Sequence, residues 1–416
     1  MMGLFHDGQA SNFAPKLLSN MNTLLKLIVA GNLLLTASLN VAAQQNESTV
    51  LKMEQERENK FSFGGYGQLD YNQRVSSSTS YAGKLDPHRF VLFMGYQFAS
   101  KIHLISELEV EHGDELYLEQ AYLNVRLNKE IQFRGGVMLI PMGLTNEFHE
   151  PTTFNGVERP SIANILIPTT WREMGVGVHG RFDAMALSYQ AYVFTGFNGY
   201  DTQARLTGKD AFRKGRQKAL NSYITSPNFS TKVNYYGINN LNIGLAGYFG
   251  KSQSKMFDKL DKDSQAAQIS ADSSVIDIAM IGLDAQYKLQ GFELRGEYIH
   301  TFIGNTEQYN SFKNQRNDLG SQMQGWYLEA SYDLFHSKYK GEKRLIPFVR
   351  YENYNTHQKV SGIEKNPNYH FTELFFGLGY APANGVMLKA DYQLKRNPHN
   401  SDLNENWINC GIAFTL

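Results

Sequence analysis

The chain has 416 residues, with 40 Lys and Arg against 40 Asp and Glu, so its formal net charge at pH 7 is zero. Charged residues make up only 19% of it and aromatic residues 13%, and Cys410 is its single cysteine. The balanced charge gives no indication of a nucleic-acid partner. One cysteine excludes an internal disulfide, and the lack of an interior run of 18 apolar residues argues against a transmembrane helix.

The N-terminal region carries the pattern of an export signal. Residues 1–20 have no evident role, and we expect the true start at Met21. Lys26 then precedes an apolar stretch at 27–39, and small residues end at Ala43. This order predicts a signal peptide at 21–43 that is removed after Ala43, with an uncleaved anchor helix as the alternative.

After a polar lead-in at 44–60, alternating apolar and polar residues run from 61 to the end of the chain. In the stretch KIHLISELEV at 101–110, Ile102, Leu104 and Leu108 share one face, and His103 and Glu107 share the other. Such a period of two predicts a strand with one apolar and one polar face. About sixteen segments of this kind occur, near 61–74, 87–98, 101–111, 115–127, 130–139, 172–182, 185–197, 230–236, 241–250, 275–289, 291–302, 323–334, 343–354, 370–380, 385–395 and 405–416.

The lengths of these segments and of their connections indicate the fold class. Most segments are longer than the 5 to 6 residues typical of soluble proteins and fit membrane-crossing strands of about 9 to 11. Long connections mostly alternate with short turns; the short link at 112–114 and the longer one at 335–343 depart from the rule. Since a sheet can cross a bilayer only when it closes on itself, we predict an all-β transmembrane antiparallel barrel of about 16 strands at 61–416, with long loops on one rim. A soluble β-sandwich is the alternative.

Three stretches carry a resemblance to a known family. They are FSFGGYGQLDYNQ at 61–73, HRFVLFMGYQFASKIHLISELEVEH at 88–112 and EQAYLNVRLNKEIQFRGGVMLIPMGLTNE at 119–147, the last with a Gly-x-x-x-x-Pro-x-Gly run. The texture over about 60–416 resembles the phosphate-selective porins (porins O and P) in a Bacteroidetes-like form. The resemblance implies an outer-membrane channel, a homotrimer, and a preference for phosphate or other anions through a ladder of inward Lys and Arg.

The polar faces of the predicted strands mix both signs of charge. Nine basic and twelve acidic side chains are expected to line the lumen, and by number they do not form an anion filter. The basic ones are Arg126, Arg134, Arg181, Lys232, Lys288, Arg295, Arg344, Arg350 and Lys389. The acidic ones are Glu107, Glu109, Glu111, Glu173, Asp284, Glu293, Glu297, Glu329, Asp333, Glu352, Glu373 and Asp391.

The connection at 140–171 is the candidate constriction of this lumen. It follows the fifth predicted strand and is long for a connection without secondary structure of its own. It carries four charged residues of interest, Glu147, Glu150, Glu158 and Arg159. Because opposed charges at a narrow point select ions, we expect its three glutamates to face a basic wall that includes Arg126, Arg134 and Arg350. The alternative is an external loop that packs on neighbouring loops or subunits.

The sequence lacks the short motifs typical of metalloproteases, serine hydrolases and nucleotide-binding enzymes. It contains no His-Glu-x-x-His, no Gly-x-Ser-x-Gly and no complete phosphate-binding Gly-x-x-x-x-Gly-Lys-Ser/Thr loop. We therefore predict neither an enzyme nor a cofactor or metal site; the expected partners are membrane lipid and small hydrophilic solutes or ions. An outer-membrane lipase or protease barrel and a plugged structural or adhesive barrel are the alternative functions.

Overall fold

A computed structural model describes residues 60–314, 316–339 and 341–416. The predicted upstream extension at 1–20, the predicted signal peptide at 21–43 and all of the polar lead-in except Lys60 lie outside the described residues.

Sixteen antiparallel strands close into one barrel, in which the first strand pairs with the last. Two further short strands, β8 and β11, pair with each other in parallel and stand apart from the barrel sheet. The strands are β1 Phe61–Val75, β2 Lys84–Ala99, β3 Ile102–Glu111, β4 Glu115–Arg126, β5 Gln132–Leu139, β6 Arg172–Phe182, β7 Leu187–Phe194, β8 Asn198–Tyr200, β9 Asn228–Ile238, β10 Leu241–Lys251, β11 Gln253–Ser254, β12 Asp277–Leu289, β13 Phe292–Gly304, β14 Gln322–Tyr332, β15 Arg344–Lys359, β16 His370–Ala383, β17 Val386–Arg396 and β18 Glu405–Thr415.

Helices are short and lie in the connections. They are α1 Ile162–Ile165, α2 Gln265–Ser273, α3 Thr306–Ser311 and α4 His336–Tyr339, with 3-10 turns at Asp183–Met185, Arg213–Gly215, Lys255–Phe257, Phe312–Asn314, Pro367–Tyr369 and Ser401–Leu403. Within the described ranges, no helix has the length and apolar character needed to cross a membrane.

The predicted all-β barrel and its strand count are confirmed. Alternation in sequence corresponds to alternation in burial most clearly in β12, where Met280 is fully buried while Ile281 and Leu283 are 43% and 49% exposed. Long connections lie at one rim and short turns at the other, as expected. Both departures are present as well, since β3 and β4 are joined by only three residues and α4 lies in the longer link between β14 and β15.

The inside of the barrel at the long-loop rim holds an apolar cluster. Trp171 is fully buried, and its ring centroid lies 4.6 Å from those of both Phe197 and Tyr248. Trp171 ends the connection 140–171, Phe197 follows β7, and Tyr248 is on the wall strand β10. Chain connections therefore pack inside this barrel, where the wall alone would leave an open tube.

The outward-facing side chains of the strands allow a prediction of how much an added charge lowers the stability of the barrel. Leu283 lies at the middle of β12 and points outward. Leu283→Arg is expected to lower the free energy of unfolding in lipid by about 2–4 kcal/mol, because a cation at the bilayer midplane is poorly solvated. Leu220→Arg, on an exposed loop, is the control, with an expected change within about 0.5 kcal/mol. Urea titration in liposomes measures both; equal midpoints would contradict an outward lipid face.

Candidate functional site

Two glycines turn the chain from β5 into the barrel interior. Gly136 has φ +141°, and a Cβ there would lie 2.2 Å from the backbone oxygen of Ala121 on the neighbouring strand. Gly143 has φ +70°, and a Cβ there would collide with the Glu297 carboxylate on β13. The next amide, that of Leu144, donates to Glu297 Oε2 at 3.1 Å. Only glycine fits both positions, which explains the Gly-x-x-x-x-Pro-x-Gly run at the start of this connection.

The connection 140–171, called the inner loop below, is fastened to the wall opposite its own strands. Lys389 on β17 donates to the backbone oxygens of Pro151, Phe154 and Gly156. The Val157 amide donates to Asp391 Oδ2 at 2.7 Å. The loop therefore crosses the lumen from β5 to β17, and it lies inside the barrel.

The first predicted constriction residue, Glu147, pairs with Lys232, which the sequence placed in the lumen but not in the basic wall expected to face the loop. Its Oε2 accepts from Lys232 Nζ of β9 at 2.7 Å, and Lys232 Nζ also lies 3.3 Å from Asp284 of β12. The same ammonium donates to the backbone oxygen of Gly143 at 2.8 Å. Lys232 is 1% exposed, so this pair fastens the loop and adds no charge to the water-filled space.

The other predicted loop charges lie in different surroundings. Glu150 is 6% exposed on the side of β3 and β4, next to His149, which is 3% exposed. Glu158 Oε1 accepts from Asn72 Nδ2 of β1 at 3.2 Å, and its backbone oxygen accepts from Arg350 NH2 at 3.4 Å. Of the predicted basic wall, Arg350 thus reaches the main chain of Glu158 and not its carboxylate.

Arg350 belongs to a buried chain of charges on β13 to β15. Its NH1 lies 3.3 Å from Glu329 Oε2, and its Nε lies 2.8 Å from Glu352 Oε1. On the other side of Glu329, Arg295 NH2 lies 2.5 Å from Oε1. Asn155 Nδ2 of the inner loop donates to the same Glu329 oxygen at 2.8 Å, so the inner loop covers this network of charges.

The inner loop changes which lumen charges remain in contact with water. Ten of the twelve predicted acidic residues are buried, and only Glu111 and Glu293 keep partial exposure. Four of the nine basic residues are buried: Lys232, Arg295, Arg350 and Lys389. The remaining five basic residues stay at least partly exposed; they are Arg126, Arg134, Arg181, Lys288 and Arg344. The accessible inner wall is therefore predominantly basic, although the sequence numbers favour acid.

A second basic group, called the arginine cluster below, lies where the inner loop returns to the wall. Arg213 NH1 donates to Thr169 O at 3.3 Å, and Arg216 NH1 donates to Thr170 O at 3.2 Å. The members of the cluster interact electrostatically with one another. They are Arg89 of β2, Arg159 of the inner loop, Arg172 of β6, and Arg213 and Arg216 of the connection after β8.

Burial and like charge act on this cluster, and the carboxylates of Glu109 and Glu119 beside Arg89 offset part of its positive charge. Burial is the main cause that lowers the pKa of Arg216 to about 9, and the positive charges of Arg213 and Arg172 act in the same direction. Burial and Arg89 lower the pKa of Arg159 to about 10. Arg89 and Arg172 are 4% and 3% exposed, and among the described residues Arg172 Nε and NH2 have no hydrogen-bond acceptor. Guanidinium groups in this state favour a carboxylate or phosphate oxygen.

Sequence reasoning did not select Glu119, Arg89, Arg172, Arg213 or Arg216. Glu119 is the extra residue of a β-bulge, since Glu107 pairs with Gln120 while Leu108 pairs with Leu118. The bulge brings Glu119 inside, where its carboxylate is fully buried, although strict alternation along β4 would not place it beside Gln120. Arg213 and Arg216 lie on a long connection whose path no local pattern reveals.

Comparison with known proteins gives one relative by sequence. An uncharacterized protein of Aquifex aeolicus is 30% identical over 347 residues, which cover 80% of this chain and 74% of that protein. The chain belongs to the same family as this Aquifex protein. No established family model matches the chain, so the resemblance to the phosphate-selective porins stays a prediction.

Solved structures share the fold at low sequence identity. OmpF of Salmonella typhi in complex with daunomycin superposes with a TM-score of 0.54 at 11% identity, covering 86% of this chain and 98% of that one. An anion-selective porin of Comamonas acidovorans gives 0.51 at 12%, covering 86% and 99%. OmpT of Vibrio cholerae in its trimer form gives 0.50 at 11%, covering 86% and 100%. These likenesses show the fold, a closed antiparallel β-barrel that this chain shares with the three proteins.

Proposed function

We propose that the chain forms an outer-membrane channel for passive diffusion of small hydrophilic anions. The observation that carries the proposal is the sign of the accessible charge: ten of the twelve predicted acidic wall residues are buried, whereas five of the nine basic ones stay at least partly exposed. Charges that line a narrow passage decide which ions enter it.

The comparisons support the channel at a coarser level. A barrel of sixteen strands is wide enough for an aqueous passage, and the structures that share the fold include one titled an anion-selective porin. Another is titled a trimer, and we propose a homotrimer for this chain. Inorganic phosphate, which the family resemblance implies, is the first solute to try. We propose no enzymatic activity.

A plugged surface barrel is the second candidate function, favoured by one observation. The inner loop is held at both sides of the lumen, by Lys232 of β9 and by Lys389 of β17. Single-channel recording in planar bilayers separates the two candidates: a channel gives discrete current steps, and a plugged barrel gives none. Reversal potentials in asymmetric KCl, then in potassium phosphate, give the ion preference. A cation-selective current would reject the anion proposal.

The exposed arginines allow an estimate of how strongly the channel should prefer chloride over potassium. Arg126 and Arg134 lie on neighbouring strands, β4 and β5, and are partly exposed. A single charge changes the energy of an ion 8 Å away by about 0.5 kcal/mol in water. Loss of both charges disfavours chloride by about 1 kcal/mol and favours potassium by about the same amount. The double change Arg126→Gln and Arg134→Gln is therefore expected to reduce the chloride-to-potassium permeability ratio roughly thirtyfold at low salt.

The matched control removes one cation that is already buried and paired. Lys232→Gln deletes a charge from the same lumen, but Lys232 is 1% exposed and bound to Glu147 and Asp284. The Lys232→Gln variant is expected to keep a higher chloride-to-potassium permeability ratio than the Arg126→Gln and Arg134→Gln double variant. If the two variants shift the reversal potential equally, exposed charge does not set the selectivity.

A further inference from the structure

The side of the inner loop that faces β3 and β4 holds three buried ligand atoms with no hydrogen-bond partner among the described residues. They are Glu107 Oε2, Glu119 Oε1 and His149 Nε2. All three side chains are at most 3% exposed, and the three residues bring ligand atoms within 4.8 Å of one another. Buried polar atoms normally have a partner, and buried carboxylates are normally paired. This arrangement therefore points to something that the three atoms bind together.

We propose that Glu107, Glu119 and His149 bind a divalent transition-metal ion, for which Zn²⁺ is the best match. Imidazole nitrogen with carboxylate oxygen is a donor set that suits zinc. Ligand atoms of a tetrahedral zinc ion with bonds of 2.0 Å lie about 3.3 Å apart. The separation of His149 Nε2 and Glu119 Oε1 is 3.3 Å. Calcium takes six to eight oxygen ligands, which this site does not offer.

Neighbouring groups orient each ligand by holding its other polar atom. His149 Nδ1 lies 3.1 Å from the backbone oxygen of Asn146. When Nδ1 donates a hydrogen bond to that oxygen, the lone pair of Nε2 is available to a metal ion. Glu107 Oε1 accepts from Gln120 Nε2. Glu119 Oε2 accepts from the Tyr66 hydroxyl at 3.3 Å. Metal-binding histidines and carboxylates are commonly supported in this way, and here the supports leave the unused atoms of the three residues close together.

The local charge also calls for a cation. Glu107, Glu109, Glu119 and Glu150 are all buried on this side of the lumen. Two wall arginines lie on this side: Arg89, whose NH1 is 3.6 Å from Glu109 Oε1, and Arg172, which interacts electrostatically with Glu109 and Glu119. His149 Nε2 lies 3.3 Å from Glu119 Oε1, an ion pair that balances at most one of these carboxylates, and Glu107 Oε2 still has no hydrogen-bond partner among the described residues. A divalent ion balances two carboxylates and uses the imidazole as a neutral ligand.

The position of the site gives the ion a structural role. Glu107 and Glu119 belong to the adjacent wall strands β3 and β4, and His149 belongs to the inner loop. The metal would therefore join loop and wall at β3 and β4, four and five strands around the barrel from Lys389 on β17. This inference does not depend on the proposed channel function, because a plugged barrel would be fastened in the same way.

The test measures metal content directly. The full chain, folded in detergent and stripped with a chelator, is dialysed against limiting Zn²⁺ and then analysed for bound zinc. One zinc per chain is expected. His149→Gln and Glu107→Gln are each expected to weaken binding by at least about tenfold. Cobalt in place of zinc should give visible absorption bands that His149→Gln removes. Far-UV circular dichroism checks that each variant is folded, and Glu107→Gln should fold because it removes negative charge.

Two control variants identify the site. His179→Gln removes another wall histidine, whose Nε2 lies 2.8 Å from Asn124 Oδ1, and it should retain the zinc. His88→Gln alters the second described group of possible ligands, Asp70, His88 and Glu158, and should also retain it. Absence of bound zinc in the wild-type chain, or its loss in His88→Gln with retention in His149→Gln, would overturn the proposal.

Discussion

Replacing Glu329 by glutamine is expected to lower the free energy of unfolding of the barrel by about 3–5 kcal/mol. Glu329 is 1% exposed and lies between two buried arginines, 2.5 Å from Arg295 NH2 and 3.3 Å from Arg350 NH1. Glutamine keeps the shape but removes the negative charge, so two guanidinium groups remain close together in a medium that solvates them poorly. Urea titration in liposomes measures the change.

Glu293→Gln is the matched control for this prediction. Glu293 lies on the neighbouring strand β13 and also approaches Arg295, with 3.7 Å between Oε1 and NH1, but its side chain is 23% exposed. Its loss is expected to cost at most about 1 kcal/mol, because water solvates the partners that remain. Equal urea midpoints for the two variants would mean that the inner loop does not seal the Glu329 network from water.

Replacing Lys389 by methionine is expected to release the middle of the inner loop. The Lys389 ammonium donates to three backbone oxygens, those of Phe154 and Gly156 at 2.6 and 2.9 Å and that of Pro151. It also lies 4.0 Å from the centre of the Phe154 ring. Hydrogen bonds to a charged donor contribute about 1.5–3 kcal/mol each, so a loss of about 4 kcal/mol should speed amide exchange in the loop roughly a thousandfold.

Hydrogen–deuterium exchange of peptides that cover 151–160 tests this without assuming a channel. Lys395→Met, on the same strand, is the control: Lys395 lies over the Phe371 ring at 4.6 Å and is partly exposed. Exchange in the loop should not change in that variant. If the protein forms a channel, Lys389→Met should also raise single-channel conductance and its noise. Unchanged exchange in Lys389→Met would show that Lys232 and the other wall contacts suffice to hold the loop.

The sequence predicted the barrel because period-two patterning is a local property. Each strand shows its own apolar and polar face, and a stretch such as 101–110 can be assigned without knowledge of its neighbours. The same reasoning failed to find Glu119. A bulge between Leu118 and Gln120 shifts the pairing of β4 with β3 by one residue. One extra residue cannot be recognised in a strand sequence whose apolar and polar residues do not alternate strictly.

The balance of lumen charge could not be predicted from the strands alone. The sequence correctly gave both signs, but a charge influences a passing ion only if water and ions reach it. Burial of the acidic residues results from contacts such as Asn155 with Glu329 and Ser161 with Glu373, which join positions 174 and 212 residues apart. Those contacts depend on where the inner loop turns, and Gly143 and Glu297 decide this together.

Local patterning thus determined the fold class, the number of strands, the rhythm of long and short connections and the position of the long loop after β5, since all of these follow from alternation along one chain. Tertiary structure decided which charges stay accessible, how the arginine cluster forms from β2, β6 and two connections, and how His149 meets Glu107 and Glu119. The physical reason is that burial and ion pairing depend on groups brought together by barrel closure, and distance along the chain carries no information about them.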